Sequence, residues 1–154
     1  MHDKPLAEIT LRKYEKPYDL TGRDLTKKLC LSLGLLQPGD GRDVIIDVFH
    51  TLLHTDEALT SEDVERLVKE QRTTHNLPHK GVTSSNIRRQ IKRLRDLYLI
   101  DKLGTTYRLS EDANLVDIFT ERLQDFYLRT IVDRVRDYCH AVDKARKPLV
   151  NAKN

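Results

Sequence analysis

The chain has 154 residues, 33% of them charged, with six Tyr, three Phe and no Trp. This suits one domain with an extension, or two small units. It excludes a membrane span, because no apolar run approaches the roughly 20 residues a bilayer requires. The formal charge of +3 is too small to imply nucleic acid by itself. Residues 1–16 hold no apolar signal core, so no export signal is expected. Cys30 and Cys139 are far apart, each in an apolar helical pattern, and read as buried thiols of a protein in a reducing cytoplasm.

Residues 1–19, punctuated by Pro5 and Pro17, read as irregular, with a short extended piece over 9–14. A first helix is expected over 21–33, where Leu25, Leu29 and Leu33 recur every four residues and Cys30 and Leu36 widen the stripe. Gly34 fits a stop just past its end. The run Gln37-Pro38-Gly39-Asp40-Gly41 is a strong turn. A second helix over 43–54 carries Val44, Ile45, Val48, Phe49, Leu52 and Leu53 on a broad apolar face. Thr60 or Ser61 caps a third, over 61–71, with Val64, Leu67 and Val68 inward and Glu62 and Asp63 at the positive end of its dipole.

After a long connection, 72–82, a fourth helix is expected over 83–97, with Ile87, Ile91 and Leu94 on the core. Residues 99–103 and 106–109 read as strands around Gly104-Thr105, a hairpin over 99–109. A long helix over 111–144 completes the pattern, with the tail 147–154 expected to fray. Its apolar stripe runs through Leu115, Ile118, Phe119, Leu123, Phe126, Tyr127, Leu128, Ile131, Val135, Tyr138 and Val142, near a 3.5-residue spacing in its later part. Such a helix outruns the domain beneath it, and the surplus stripe needs a partner. Leu115, Phe119, Leu123, Leu128, Ile131, Val135, Tyr138 and Val142 are the expected dimerisation residues.

Charge is concentrated on the fourth helix. Between Lys80 and Lys102 stand seven basic residues (Lys80, Arg88, Arg89, Lys92, Arg93, Arg95, Lys102) against Asp96 and Asp101, a net of +5 that leaves −2 for the remainder. A local positive patch on a near-neutral protein is the footprint of a groove binder. With Ile87, Ile91 and Leu94 inward, the opposite face presents Ser84, Ser85, Arg88, Arg89, Lys92 and, at its edge, Arg95. A helix fits the major groove of B-DNA, and its first turns approach base edges. Ser84, Ser85, Asn86, Arg88 and Arg89 are therefore the base-reading candidates, and Lys92 and Arg93 the phosphate contacts. Lys102, Thr105, Thr106 and Arg108 would set donors on the hairpin beside the backbone. The competing reading is a solvated helix face, with Arg93 or Arg95 paired to Asp96 or Asp101.

The order helix 43–54, helix 61–71, helix 83–97, strand, Gly, strand, ending on Tyr107-Arg108-Leu109-Ser110, resembles the winged helix-turn-helix superfamily of transcriptional regulators over roughly 42–110. The resemblance implies a mainly α fold with a small β-hairpin wing, an N-terminal arm and helix over 1–40, a winged helix-turn-helix domain over 41–110, and a C-terminal dimerisation helix and tail over 111–154. It implies double-stranded DNA and a second copy of the chain as partners.

His50 and His54, and His75 and His79, stand four apart and could each offer two metal ligands. With no CxxC beside them, they read as ordinary helix and loop residues, and no metal or cofactor is expected. Ser84-Ser85 lacks a GxSxG setting and no glycine run cradles phosphate, so no catalytic residue is expected. A protein-interaction module without DNA binding, and a regulator responding to a metal or to a ligand held between the first and last helices, are the other open readings.

Overall fold

Local chemistry sets the helix ends. In the computed structural model, which describes residues 3–149, α1 runs Gly22–Ser32, α2 Val44–Leu53, α3 Ser61–Thr74 and α4 Ser84–Asp96. Strand β1 (Leu59–Thr60) precedes α3; β2 (Ile100–Leu103) and β3 (Thr106–Leu109) follow α4. The Thr60 hydroxyl accepts from the Asp63 amide at 3.1 Å, and the Asp63 carboxylate accepts from the Thr60 amide at 3.2 Å, a reciprocal cap. Thr83 accepts from the Asn86 amide at 3.2 Å and opens α4.

α1, α3 and α4 each stop with a left-handed residue: Gly34, Asn76 and Tyr98. In each case the following amide closes back over the last turn, Leu35 to Cys30, Leu77 to Arg72 and Leu99 to Leu94. Gly34 is required twice over, since a Cβ there would also lie 2.6 Å from the Thr10 carbonyl oxygen. Tyr98 has no such freedom. Its ring packs against Phe126 and Tyr127, with centroids 6.0 and 5.6 Å away, which holds the strained residue in place.

The chain is mainly helical, with a three-stranded antiparallel sheet in the order β1-β3-β2. Leu59 pairs with Tyr107, and Ile100 with Leu109. The sequence reading has no counterpart for β1, whose two residues are too few to show a period. α2 is buried nearly all round rather than on one face, with Ile46 and Asp47 both inaccessible. Asp47 is held by Arg23 (2.8 Å) and Arg72 (2.7 Å), which also share Asp43 at 3.0 Å each. Arg72 Nε donates to the Pro78 carbonyl at 2.6 Å and pins the connection before α4. Buried charges persist only when paired in this way.

α1 and its exit bury Cys30, Leu33 and Leu36 as the stripe predicts, but the start of the helix is rotated from it. Leu25 is exposed and Thr26, Cys30 and Leu31 are buried. The bonds of Arg23 to Asp47 and of Thr26 to His50 (2.7 Å) turn that face onto α2. The N-terminal arm is irregular but docked. Arg12 N donates to Ser32 O at 2.9 Å, and the Tyr127 hydroxyl both accepts from the Glu8 amide and donates to its carbonyl.

The last helix starts at Leu115, not 111, and is not regular. A short α5 (Leu115–Ile118) widens into a π-helical stretch, Phe119–Leu128, which continues into α6 (Arg129–Ala145). The i→i+5 register brings Ile118 and Leu123, five apart, onto one buried line. Leu123 is thus part of its own chain's core and not of a dimer surface, and Leu115 and Phe119 pack half-buried beside it. Among the described residues beyond Leu128 no side chain is buried. Val132, Val135, Tyr138 and Val142 lie open along α6, and Cys139, expected to be buried, is exposed with them. Residues 150–154 of the tail lie outside the described residues. No helix among those described is long and apolar enough to cross a membrane.

Candidate nucleic-acid interface

α4 buries Ile87, Ile91 and Leu94 as its spacing requires and turns its basic side outward. Ser85, Arg88, Arg89, Lys92 and Arg95 are exposed. Among the described residues, Arg88, Arg89 and Arg95 make no hydrogen bond or ion pair. Neither acid named in the solvated-face reading holds Arg93 or Arg95. Asp101 accepts from Ser110 Oγ (3.1 Å) and the Glu111 amide (2.8 Å), and Asp96 is paired with Lys92 at 2.9 Å. Lys92 is therefore a shared cation, held by an exposed i,i+4 pair of small worth.

Three further candidate contacts on α4 are engaged by the protein itself. Arg93 is half-buried, with its guanidinium on Leu35 O (2.5 Å) and Gln90 Oε1 (2.8 Å), so it is drawn off the outward basic face to the flank of α4 that borders the 37–43 turn. Gln90 in turn donates to Asn86 Oδ1 at 3.0 Å, and Asn86 Nδ2 donates to Gly81 O at 2.8 Å. Both ends of the Asn86 amide are used in this relay, so it is not a free adenine reader. Ser84 Oγ donates to Glu65 Oε1 at 2.6 Å, across to α3. Glu65 has its pKa lowered by its bonds from Lys69 and Ser84, and stays a carboxylate beside the first turn of α4. No sequence signal marked it, because on α3 it reads as one more solvated acid.

On the hairpin, Thr105 and Lys102 are exposed, with the Lys102 ammonium 6.0 Å from the Tyr107 ring centroid. Thr106 donates to Leu103 O at 2.8 Å and closes the turn. Arg108 is drawn onto Asp112 at 2.8 Å. A cleft between α4 and β2 is lined by Lys92, Arg95, Lys102 and Arg122, with Asp96 and Asp101. On the other flank of α4 lies a groove of about 780 Å³, between the 37–43 turn and residues 78–81.

The histidines are placed as side chains of the fold. His50 Nδ1 is bonded to Thr26, His54 Nδ1 lies 3.0 Å from His50 O, and His79 Nε2 lies 3.0 Å from Thr73 Oγ1. Burial, reinforced by His54, keeps the His50 pKa below its ordinary value. Among the described residues no group of three or more His, Cys, Asp or Glu is arranged to hold a metal ion. A groove lined by Leu11, Leu29, Leu33, Leu99, Leu115 and Phe119 does open between α1 and the start of the last helix. No protein-family model matches the chain, and no curated protein or solved structure matches it.

Proposed function

We propose that this chain is a sequence-specific double-stranded DNA-binding regulator of the winged helix-turn-helix kind, acting as a homodimer in the cytoplasm. α4 would enter the major groove and the β2–β3 hairpin would lie against the backbone. The observation that carries this reading is the outward face of α4: three arginines with no hydrogen-bond or ion-pair partner among the described residues, on one helix, next to a hairpin with two exposed polar side chains. The element order α2-β1-α3-α4-β2-β3, with β3 between β1 and β2, supports it. Arg88 and Arg89 in the first turns are the base readers, Ser85 assists them, and Lys92, Arg95 and Lys102 meet phosphates.

The open stripe of α6 supports the dimer. A second copy would cover Val132, Val135, Tyr138 and Val142, and two-fold symmetry would set two α4 helices about one helical turn of DNA apart. The test is binding to random duplex DNA with a salt titration, followed by selection from a random pool. A steep fall in affinity with salt, at about 0.9 log units per phosphate contact, and enrichment of a two-fold motif are expected. The same apolar stripe favours a second reading, a protein-docking module. Absence of duplex binding at low salt would select it.

A further inference from the structure

The groove on the far flank of α4 shares Arg89 with the DNA-reading face, but its other cations have no part in that reading. Arg42, Arg72, Lys80, Arg89 and Arg93 line it, against Asp40 and Asp43. Both acids are already satisfied. Asp40 takes three bonds from Arg42, and Asp43 is shared by Arg23 and Arg72. Lys80 and Arg89 make no ion pair among the described residues. Arg93 is the telling member, because it is half-buried and the two groups that accept its hydrogen bonds, Leu35 O and Gln90 Oε1, are both neutral.

A guanidinium withdrawn from water without a counter-charge is costly, and proteins normally supply one. Burial lowers the Arg93 pKa, and Asp40, which lies nearby but is bonded by Arg42, offsets this only in part. Nor does its neighbour Cys30 supply the charge, since burial pushes that thiol up to about 12 and keeps it protonated. The positive charge of Arg93 therefore faces a groove whose unpaired groups are two further cations.

We propose that this groove is a phosphate-binding site, with Lys80, Arg89 and Arg93 as its cationic ligands. Arginine forks and a lysine point charge are the side chains that phosphate oxygens select. The phosphate has two possible sources, a small phosphorylated molecule seated in the groove or a backbone phosphate of the duplex that α4 engages. The second rests on the DNA reading above and the first does not. A volume of about 780 Å³ is ample for a small phosphorylated molecule.

The experiment uses the full chain with two charge-reversal variants, Lys80→Glu in the groove and Lys144→Glu at the far end of α6. Both lysines are exposed, so neither change disturbs the core. Pyrophosphate is titrated calorimetrically without DNA, with sodium chloride at matched ionic strength as the control. Duplex binding is measured as a function of salt in parallel. Saturable pyrophosphate binding that weakens about tenfold in Lys80→Glu and is kept in Lys144→Glu supports the small-molecule source. No pyrophosphate binding, but a salt slope lowered by about 0.9 in Lys80→Glu alone, supports the backbone source. The proposal is overturned if pyrophosphate does not bind and the two variants have the same duplex slope, or if both variants weaken pyrophosphate equally. Failure of the parent to bind duplex at all would sink the DNA reading while leaving the pyrophosphate titration to decide this one.

Discussion

Ser84 Oγ donates to Glu65 Oε1 at 2.6 Å, tying the first turn of α4 to the middle of α3. The bond fixes how α4 leaves its cap and sets a carboxylate beside the basic face. On the proposed interface that carboxylate repels phosphates in any register but the one that keeps it off the backbone, and so favours selectivity over affinity. Glu65→Gln keeps an acceptor for Ser84 and removes the charge. Binding to random duplex is expected to tighten several-fold, while the ratio of selected to random affinity falls. Competition anisotropy with both duplexes measures this, and an unchanged ratio would place Glu65 outside the interface.

Asp47 is the anchor of three helices. Asp47→Ala leaves Arg72 buried with only Asp43 for company, and a loss of about 3–5 kcal/mol is expected in urea unfolding. A loss below about 1 kcal/mol would mean the pair behaves as an exposed one. Replacing Asp47 and Arg72 together with Leu and Met is expected to recover part of the loss.

His50 makes stability depend on pH. Its folded pKa lies below the ordinary 6.5, burial being the main cause, so the folded state prefers the neutral ring. The unfolded chain binds the proton more readily, and this contribution is complete above the unfolded value and lost as pH falls below it. The melting temperature is expected to decline from about pH 7.5 to about pH 5.5, and His50→Gln, which can still bond Thr26, should flatten part of that slope. Identical slopes in the two proteins would contradict the assignment.

The α6 stripe bears on assembly separately from DNA. Ile131→Lys with Val135→Lys should give a monomer in sedimentation with unchanged helicity, since neither side chain belongs to the buried core. A parent that is itself monomeric, or a variant of unchanged mass, would contradict the dimer.

The helices, their caps and the hairpin were legible because each rests on short-range chemistry. The cap at Thr60 or Ser61, the Gly34 stop and the three-and-four spacing of Ile87, Ile91 and Leu94 lie within a few residues. What the sequence hid is tertiary. Asp47 sat in a run of apolar residues without its partners, which are 24 and 25 positions away. β1 is two residues long and exists only because β3 lies beside it. The π register over 119–128 leaves no mark in the apolar spacing, so the sequence alone places Leu123 with the dimerisation stripe and not in the core. Arg93 and Asn86 were indistinguishable from Arg89 by composition, and only the approach of Leu35 and Gly81 separates them.

The central claim is that the outward face of α4 reads DNA. Arg88→Ala with Arg89→Ala tests it most directly, because neither guanidinium makes a hydrogen bond or ion pair among the described residues. Anisotropy against a duplex enriched by selection is expected to show a loss of about thirtyfold or more, as two bidentate base contacts at roughly 1–3 kcal/mol each would require, with the circular dichroism spectrum unchanged. A double variant that binds the enriched duplex as tightly as the parent would contradict the claim.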